Sequence, residues 1–265
     1  MGMRIGLLSR LRRRSAGGDA QVQISEQDGV RYLHLGTDTV QSAMRLSDPD
    51  ELVLSYTRSM LSFLLFAPDP RRIVNIGLGG GSLAKWIYRH LTHAQQLVLE
   101  LNPRVIACAH QYFHLPADDA RLRVLEADGA AWAAQHPDCC DLVLVDGYDG
   151  RSQAAELATS EFYGSVARCL AADGILVVNL WGSDRRYDET LQRIEAAFEG
   201  RICCVPAAQR GNVAVLAFKR KPLATRWDEL RAAASTLQAR YGVEFTDFVG
   251  AMRRLNPHTA RRLLI

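Results

Sequence analysis

From Arg71 onward short apolar runs alternate with segments of helical periodicity, and the first run ends in a turn made almost wholly of glycine. Ile73–Ile76 reads as a strand, Gly77-Leu-Gly-Gly-Gly-Ser82 as the turn, and Leu83–His90 as a helix. The alternation then repeats, with strands expected over 97–99, 122–125, 142–145 and 175–179 and helices over 104–112, 130–135, 160–170 and 188–198. Short, nearly continuous apolar strands separated by helices belong to βαβ units, so the chain predicts an α/β fold with a mostly parallel sheet covered by helices on both faces. The last two runs, 202–205 and 213–218, are too close in sequence for a crossover and predict an antiparallel hairpin at one edge. The sheet then has seven strands.

The rest of the chain is organised around that block. Residues 1–20 form a basic Gly/Ser-rich arm, with five arginines against Asp19, and are expected to be disordered. Residues 21–46 alternate in short runs broken at Asp28-Gly29 and Gly36, which predicts a small antiparallel unit of three strands. Ser47-Asp-Pro-Asp-Glu51 carries helix-start chemistry, so a helix is expected from Ser47 or Asp48 through Tyr56 to about Phe66, stopped by Pro68-Asp-Pro70. Residues 47–222 make the main domain, and residues 223–265 a helical extension with Trp227, Leu230, Ala234 and Leu237 at helical spacing. Apolar residues make up 48% and charged residues 23%, which excludes wholesale disorder. The longest apolar stretch, Met60–Pro68, is far too short for a membrane span. Residues 219–265 carry ten Lys/Arg against four Asp/Glu; the chain as a whole is only +3, so its body is acidic. Arginines without interleaved aromatics give no reason to expect a nucleic-acid partner. The six cysteines show neither a disulfide framework nor a CxxC spacing, and the histidines have no matched carboxylate, so no metal centre is expected.

Three strand ends carry the chemistry. Gly77, Gly79 and Gly81 would let a ligand approach the backbone where a helix N-terminus offers free N–H groups. Glu100 ends the second strand, where nucleoside-binding folds hold ribose hydroxyls with a carboxylate. The turn has Ser82 and Ala84 where a third dinucleotide glycine would stand, so the spacing suits a mononucleoside such as S-adenosylmethionine at least as well as NAD. Asp128-Gly129 follows the third strand and is placed to accept a hydrogen bond from an adenine amino group. Asp146 and Asp149 follow the fourth, where a pair of carboxylates can hold a cationic amine and take its proton.

Gln41-Ser42, Tyr56, Gly77–Ser82, Glu100, Asp128-Gly129, Asp146 with Asp149, and Glu161-Phe162-Tyr163 occur in the order found in polyamine aminopropyltransferases. Over residues 22–218 the chain resembles the spermidine synthase family, whose small N-terminal β unit ordinary class I methyltransferases lack. The resemblance implies a class I methyltransferase-like (Rossmann-like) sheet, a cytoplasmic setting and a homodimer. It implies transfer of an aminopropyl group from decarboxylated S-adenosylmethionine to a small-molecule amine, with methylthioadenosine as product and no tightly bound cofactor. By the same resemblance Gln41 and Glu100, with the glycine turn, bind the thioadenosine part, Asp128 and Gly129 the adenine, and Tyr56 and Asp149 the polyamine. Asp146 accepts the proton of the attacking amine.

The sequence also departs from the family. Gly80 stands where the family has an aspartate for the donor's ammonium, and an acid restored there is expected to shift preference toward the decarboxylated donor. Thr57 and Arg58 replace Gln or His and Glu, and an arginine beside an amine site repels the substrate unless it turns outward. Gly147, Tyr148, Gly150 and Gln153 alter the aspartate loop, and Asn179 replaces the usual Gln. Two alternatives follow: an S-adenosylmethionine-dependent methyltransferase on the same scaffold, and a nucleoside-binding homologue without turnover.

Overall fold

The computed structural model describes residues 22–37, 39–147, 154–209, 211–223 and 225–265. The basic arm and Asp149 lie outside the described residues. Strands β1 (Val22–Gln27), β2 (Val30–Leu35) and β3 (Val40–Arg45) form an antiparallel sheet in sequence order. Asp28 and Gly29 both take positive φ, as a two-residue hairpin turn requires.

The main sheet is built from β4 (Arg72–Ile76), β5 (Gln95–Glu100), β6 (Leu122–Glu126), β7 (Cys140–Val145), β8 (Leu170–Trp181), β9 (Ile202–Pro206) and β10 (Asn212–Phe218). Its order is β6-β5-β4-β7-β8-β10-β9. Pairing from β6 to β8 is parallel, while β10 runs antiparallel to both β8 and β9. This is the mixed seven-stranded sheet expected, with the late hairpin at one edge. β8 starts earlier than its apolar run. Leu170 already pairs with Cys140, and the register then slips so that Ile175 meets Leu142.

Alternation along the strands divides the core in two. Leu142, Leu144, Ile175 and Val177 face one side, under α1 (Ser55–Met60), α2 (Ser82–His90), α7 (Trp227–Tyr241) and α8 (Phe245–Leu255). Val143, Val145, Leu176 and Val178 face the other, under α4 (Gly129–Gln135), α5 (Ser160–Cys169) and α6 (Tyr187–Ala197). The remaining helix, α3 (Pro103–Tyr112), packs Val105 and Ala109 with Val98 of β5. The C-terminal helices belong to the main core. Trp227, Leu230, Phe245, Phe248 and Met252 are buried in the main core. Asn256 then closes the free edge of β9. Its amide oxygen accepts from the Cys204 N–H at 2.6 Å, and its Nδ2 donates to the Cys204 carbonyl at 2.8 Å.

The helix expected from Ser47 begins instead at Ser55, after Leu54, which offers no side-chain cap, and passes into a 3-10 turn over Leu61–Leu65. Local capping chemistry loses here to tertiary partners. Asp50 binds Arg89 and Glu51 binds Arg45. The Pro49 carbonyl accepts from Lys85 Nζ at 2.6 Å, and the same ammonium donates to the Phe113 carbonyl at 2.7 Å. Lys85 is buried, and burial pulls its pKa down to about 8.

Arg58 turns outward, away from the amine region. Its Nε lies 2.8 Å from Glu244 Oε1, and Nη1 donates to the Leu52 and Val53 carbonyls at 2.7 and 3.1 Å. It therefore ties α1 to the start of α8. Removing one partly buried ionic hydrogen-bond set costs about 1–2 kcal/mol. Arg58→Ala should lower the melting temperature by roughly 2–6 °C, read by calorimetry, with the KM for amine unchanged. A lowered amine KM with an unchanged melting point would place Arg58 in the site instead.

Candidate active site

A cleft of about 720 Å3 opens at the carboxyl ends of the parallel strands. Gly77 and Gly79 line it, as do Glu100, Asp128 and Gly129, so the nucleoside residues expected from sequence share one wall. Gln41, Tyr56 and Asp146 line it as well. Gly81 is not on that wall. It caps α2 in a left-handed conformation, φ +74°, and supports the turn from behind.

The glycine turn is shaped by close approach. Gly77 has φ +95°, and a Cβ there would lie 2.4 Å from the Asp146 carbonyl oxygen, so a side chain would drive the ends of β4 and β7 apart. Glu100 holds the turn from the next strand. Its Oε2 accepts from Leu78 N–H at 3.0 Å and its Oε1 from Asn102 N–H at 2.9 Å. Desolvation raises the Glu100 carboxyl, and these backbone donors pull it back. The carboxylate lines the cleft, where a ligand hydroxyl can reach it. Asp128 has a local duty beyond the one expected. It is the N-cap of α4, with Oδ1 accepting from Ala130 and Ala131 N–H at 2.8 and 3.2 Å.

Asp146 sits where β7 ends. Asn179 Nδ2 donates to its Oδ1 at 2.8 Å, and the Tyr56 hydroxyl lies 3.0 Å from its Oδ2 and 3.2 Å from the Gln41 carbonyl. Asn179 is oriented in turn by Asn212 Nδ2, 3.0 Å from its Oδ1. Desolvation raises the Asp146 carboxyl, while the hydrogen bonds from Asn179 and Tyr56 lower it. A carboxylate held by two neutral donors and lifted by burial suits proton acceptance from a cationic amine.

Sequence reading noticed Asn179 only as a departure from a family pattern, and it missed Asn212 and Glu156. Asn212 lies opposite Trp181 in the β8–β10 pairing, and no spacing in the chain marks it. Glu156 lines the cleft from a 3-10 turn just beyond residues 148–153, which are not described. Position 80 behaves differently from its motif. Gly80 does not line the cleft, and a Cβ there would come within 2.7 Å of both the Phe113 ring and the Ser42 hydroxyl.

Comparison with known proteins identifies the family and the fold. A model of the spermine/spermidine synthase domain matches residues 53–226. A protein of Chromobacterium violaceum named polyamine aminopropyltransferase is 44% identical over 92% of this chain and 94% of its own length. One of the same name from Neisseria meningitidis is 40% identical over 94% and 95%. Among solved structures, a probable spermidine synthase from Corynebacterium glutamicum superposes with a TM-score of 0.71 at 18% identity, covering 95% of this chain and 99% of that one. Human methyltransferase-like protein 13, solved with SAH, gives 0.60 at 22% identity over 71% of this chain and 89% of its own. The solved structures speak for the fold alone, while the family model spans well over half the chain and the curated relatives nearly all of it: this chain belongs to the spermine/spermidine synthase family.

Proposed function

We propose that the protein moves an aminopropyl group from decarboxylated S-adenosylmethionine to a small amine. The observation that carries this is the juxtaposition of Asp146, lifted by burial, with the glycine turn and Glu100 in one cleft. In the proposed step the amine nitrogen attacks the aminopropyl carbon bonded to the sulfonium. The C–S bond breaks, its electron pair stays on sulfur, and neutral methylthioadenosine leaves. Asp146 takes a proton from the amine as attack proceeds, which frees the nitrogen lone pair for the new C–N bond. Tyr56 and Asn179 fix the carboxylate's orientation, and the cleft holds the two reactants in line. Glu100 takes the ribose hydroxyls, with Gln41 beside the thioadenosine part, and Asp128 and Gly129 flank the adenine. Tyr56 and Asp149 receive the amine. With no acid at position 80, Glu156 is the cleft carboxylate we assign to the donor's ammonium. The homodimer and the cytoplasmic setting belong to the same proposal; among the described residues no helix is long and apolar enough to cross a membrane.

The methyltransferase alternative shares the sheet but gives no work to the N-terminal unit. Here Leu35, Gln41 and Ser42 of that unit line the cleft beside Tyr56, which favours the aminopropyl reading.

Asp146→Asn should cut methylthioadenosine release from decarboxylated donor and putrescine by about 10²–10⁴-fold; unchanged release removes Asp146 from the chemistry. The kcat/KM profile should have an acidic limb set by Asp146. Because desolvation raises its pKa, that limb lies above the ordinary value of about 4. Asn179 stabilises the charged form, so Asn179→Ala should move the limb to higher pH; a limb that stays put separates Asn179 from the proton acceptor. Gly80→Asp should lower the melting temperature by crowding Phe113 and leave the ratio of decarboxylated to intact donor use unchanged. A sharpened preference for the decarboxylated donor would show that the new carboxylate reaches the cleft after all.

A further inference from the structure

Three thiols converge at the end of the sheet remote from the cleft. Cys140 opens β7, Cys139 precedes it, and Cys169 closes α5. The sulfur of Cys169 lies 3.3 Å from that of Cys139 and 3.5 Å from that of Cys140, and all three fall within 4.8 Å of one another. Cys140 and Cys169 are buried and Cys139 is half-buried. The backbone fixes the group: Cys139 N–H donates to the Cys169 carbonyl at 2.9 Å, and Cys140 pairs with Leu170. None of these residues lines the cleft. β7 separates them from Asp146 by six residues, about 20 Å at the rise of a strand.

We propose that Cys139, Cys140 and Cys169 bind a soft d10 cation, Zn(II) or Cu(I), as three thiolates. A zinc–sulfur bond is about 2.3 Å, which sets three ligating sulfurs about 3.8–4.0 Å apart in tetrahedral or trigonal geometry. The two separations from Cys169, 3.3 and 3.5 Å, fall a few tenths of an ångström short of that value, so small side-chain rotations that spread the sulfurs complete the set. A disulfide would use two of the sulfurs at about 2.05 Å and leave the third unexplained. Binding releases three S–H protons to solvent and leaves negative charge on the cluster. Lys219 is placed to offset it, since its ammonium binds the Leu170 carbonyl and Asp138 and acts electrostatically on Cys169, as does His136. The half-buried Cys139 side leaves the fourth tetrahedral position to water. The ion would pin the end of α5 to the start of β7, a structural clamp independent of aminopropyl transfer. The spacing of these cysteines in the chain hides the site; the parallel pairing of β7 with β8 creates it.

The test uses the full chain, reduced, washed with chelator and handled without oxygen. Cd(II) should produce a sulfur-to-metal charge-transfer band that saturates at one ion per chain, and Zn(II) should raise the melting temperature. Cys139→Ser should weaken Cd(II) at least tenfold with methylthioadenosine release unchanged, and Cys108→Ser should bind as wild type. Cys169→Ala gives a second reading if Cys139→Ser does not fold. No band, or an unaltered band in either cluster variant, overturns the proposal. So does a Cys139–Cys169 disulfide in aerobically purified protein, found by peptide mass mapping, whose reduced form takes up no metal.

Discussion

The site depends on how closely the ends of β4 and β7 come together. The carbonyl of Asp146 lies where the β-carbon of any other residue at position 77 would be. That contact places the glycine turn, which receives the nucleoside in the proposed reaction, against the strand end that carries the proton acceptor. The hydrogen bond from Asp146 N–H to the Ile76 carbonyl, 2.9 Å, continues the parallel ladder to the last residue before the turn. The two halves of the chemistry are therefore adjacent because two neighbouring parallel strands end together. In open α/β sheets ligands collect at such strand ends.

A second constraint ties distant parts of the chain to the same carboxylate. Asn212 on β10 holds Asn179 on β8, Asn179 holds Asp146 on β7, and Tyr56 on α1 places its one hydroxyl proton between Asp146, 3.0 Å away, and the Gln41 carbonyl of the N-terminal sheet, 3.2 Å away. The antiparallel hairpin and the small β unit are thus more than flanking structure. The antiparallel insertion of β10 beside β8 is what brings Asn212 next to Asn179. A polar chain of this kind is strong when every member is satisfied and costly when one is removed.

Much of this was legible in the sequence, for identifiable reasons. Strand and helix positions from residue 71 on follow from apolar periodicity, and the glycine turn with Glu100 marks the nucleoside side because its chemistry is local. What was not legible depends on tertiary contact. Ser47–Glu51 has strong helix-start chemistry, yet Arg45, Lys85 and Arg89 claim its groups from three other places in the chain. Arg58 reads as a cation beside the amine region, and only the packing of α8 provides Glu244 to turn it away. Asn212 and the thiol cluster share the same difficulty. Their partners lie 33 and 29 or 30 residues away and meet only through sheet pairing.

Position 80 shows how a motif can change meaning without losing the fold. An aspartate in the glycine turn reads as a charge selecting the donor's ammonium. In this chain the room for its side chain is occupied by Phe113, fully buried at the end of α3, and by Ser42. Phe113 in turn packs with Leu33 and Met44 of the N-terminal sheet and Cys108 of α3, so it cannot move aside without loosening the contact between that sheet and the main domain. Its carbonyl also accepts from the buried Lys85. The glycine is therefore part of a packing arrangement that joins two sheets. In the proposed reaction, recognition of the donor's charge then falls to a carboxylate elsewhere in the cleft, because the small β unit is docked through the space a side chain at position 80 would fill.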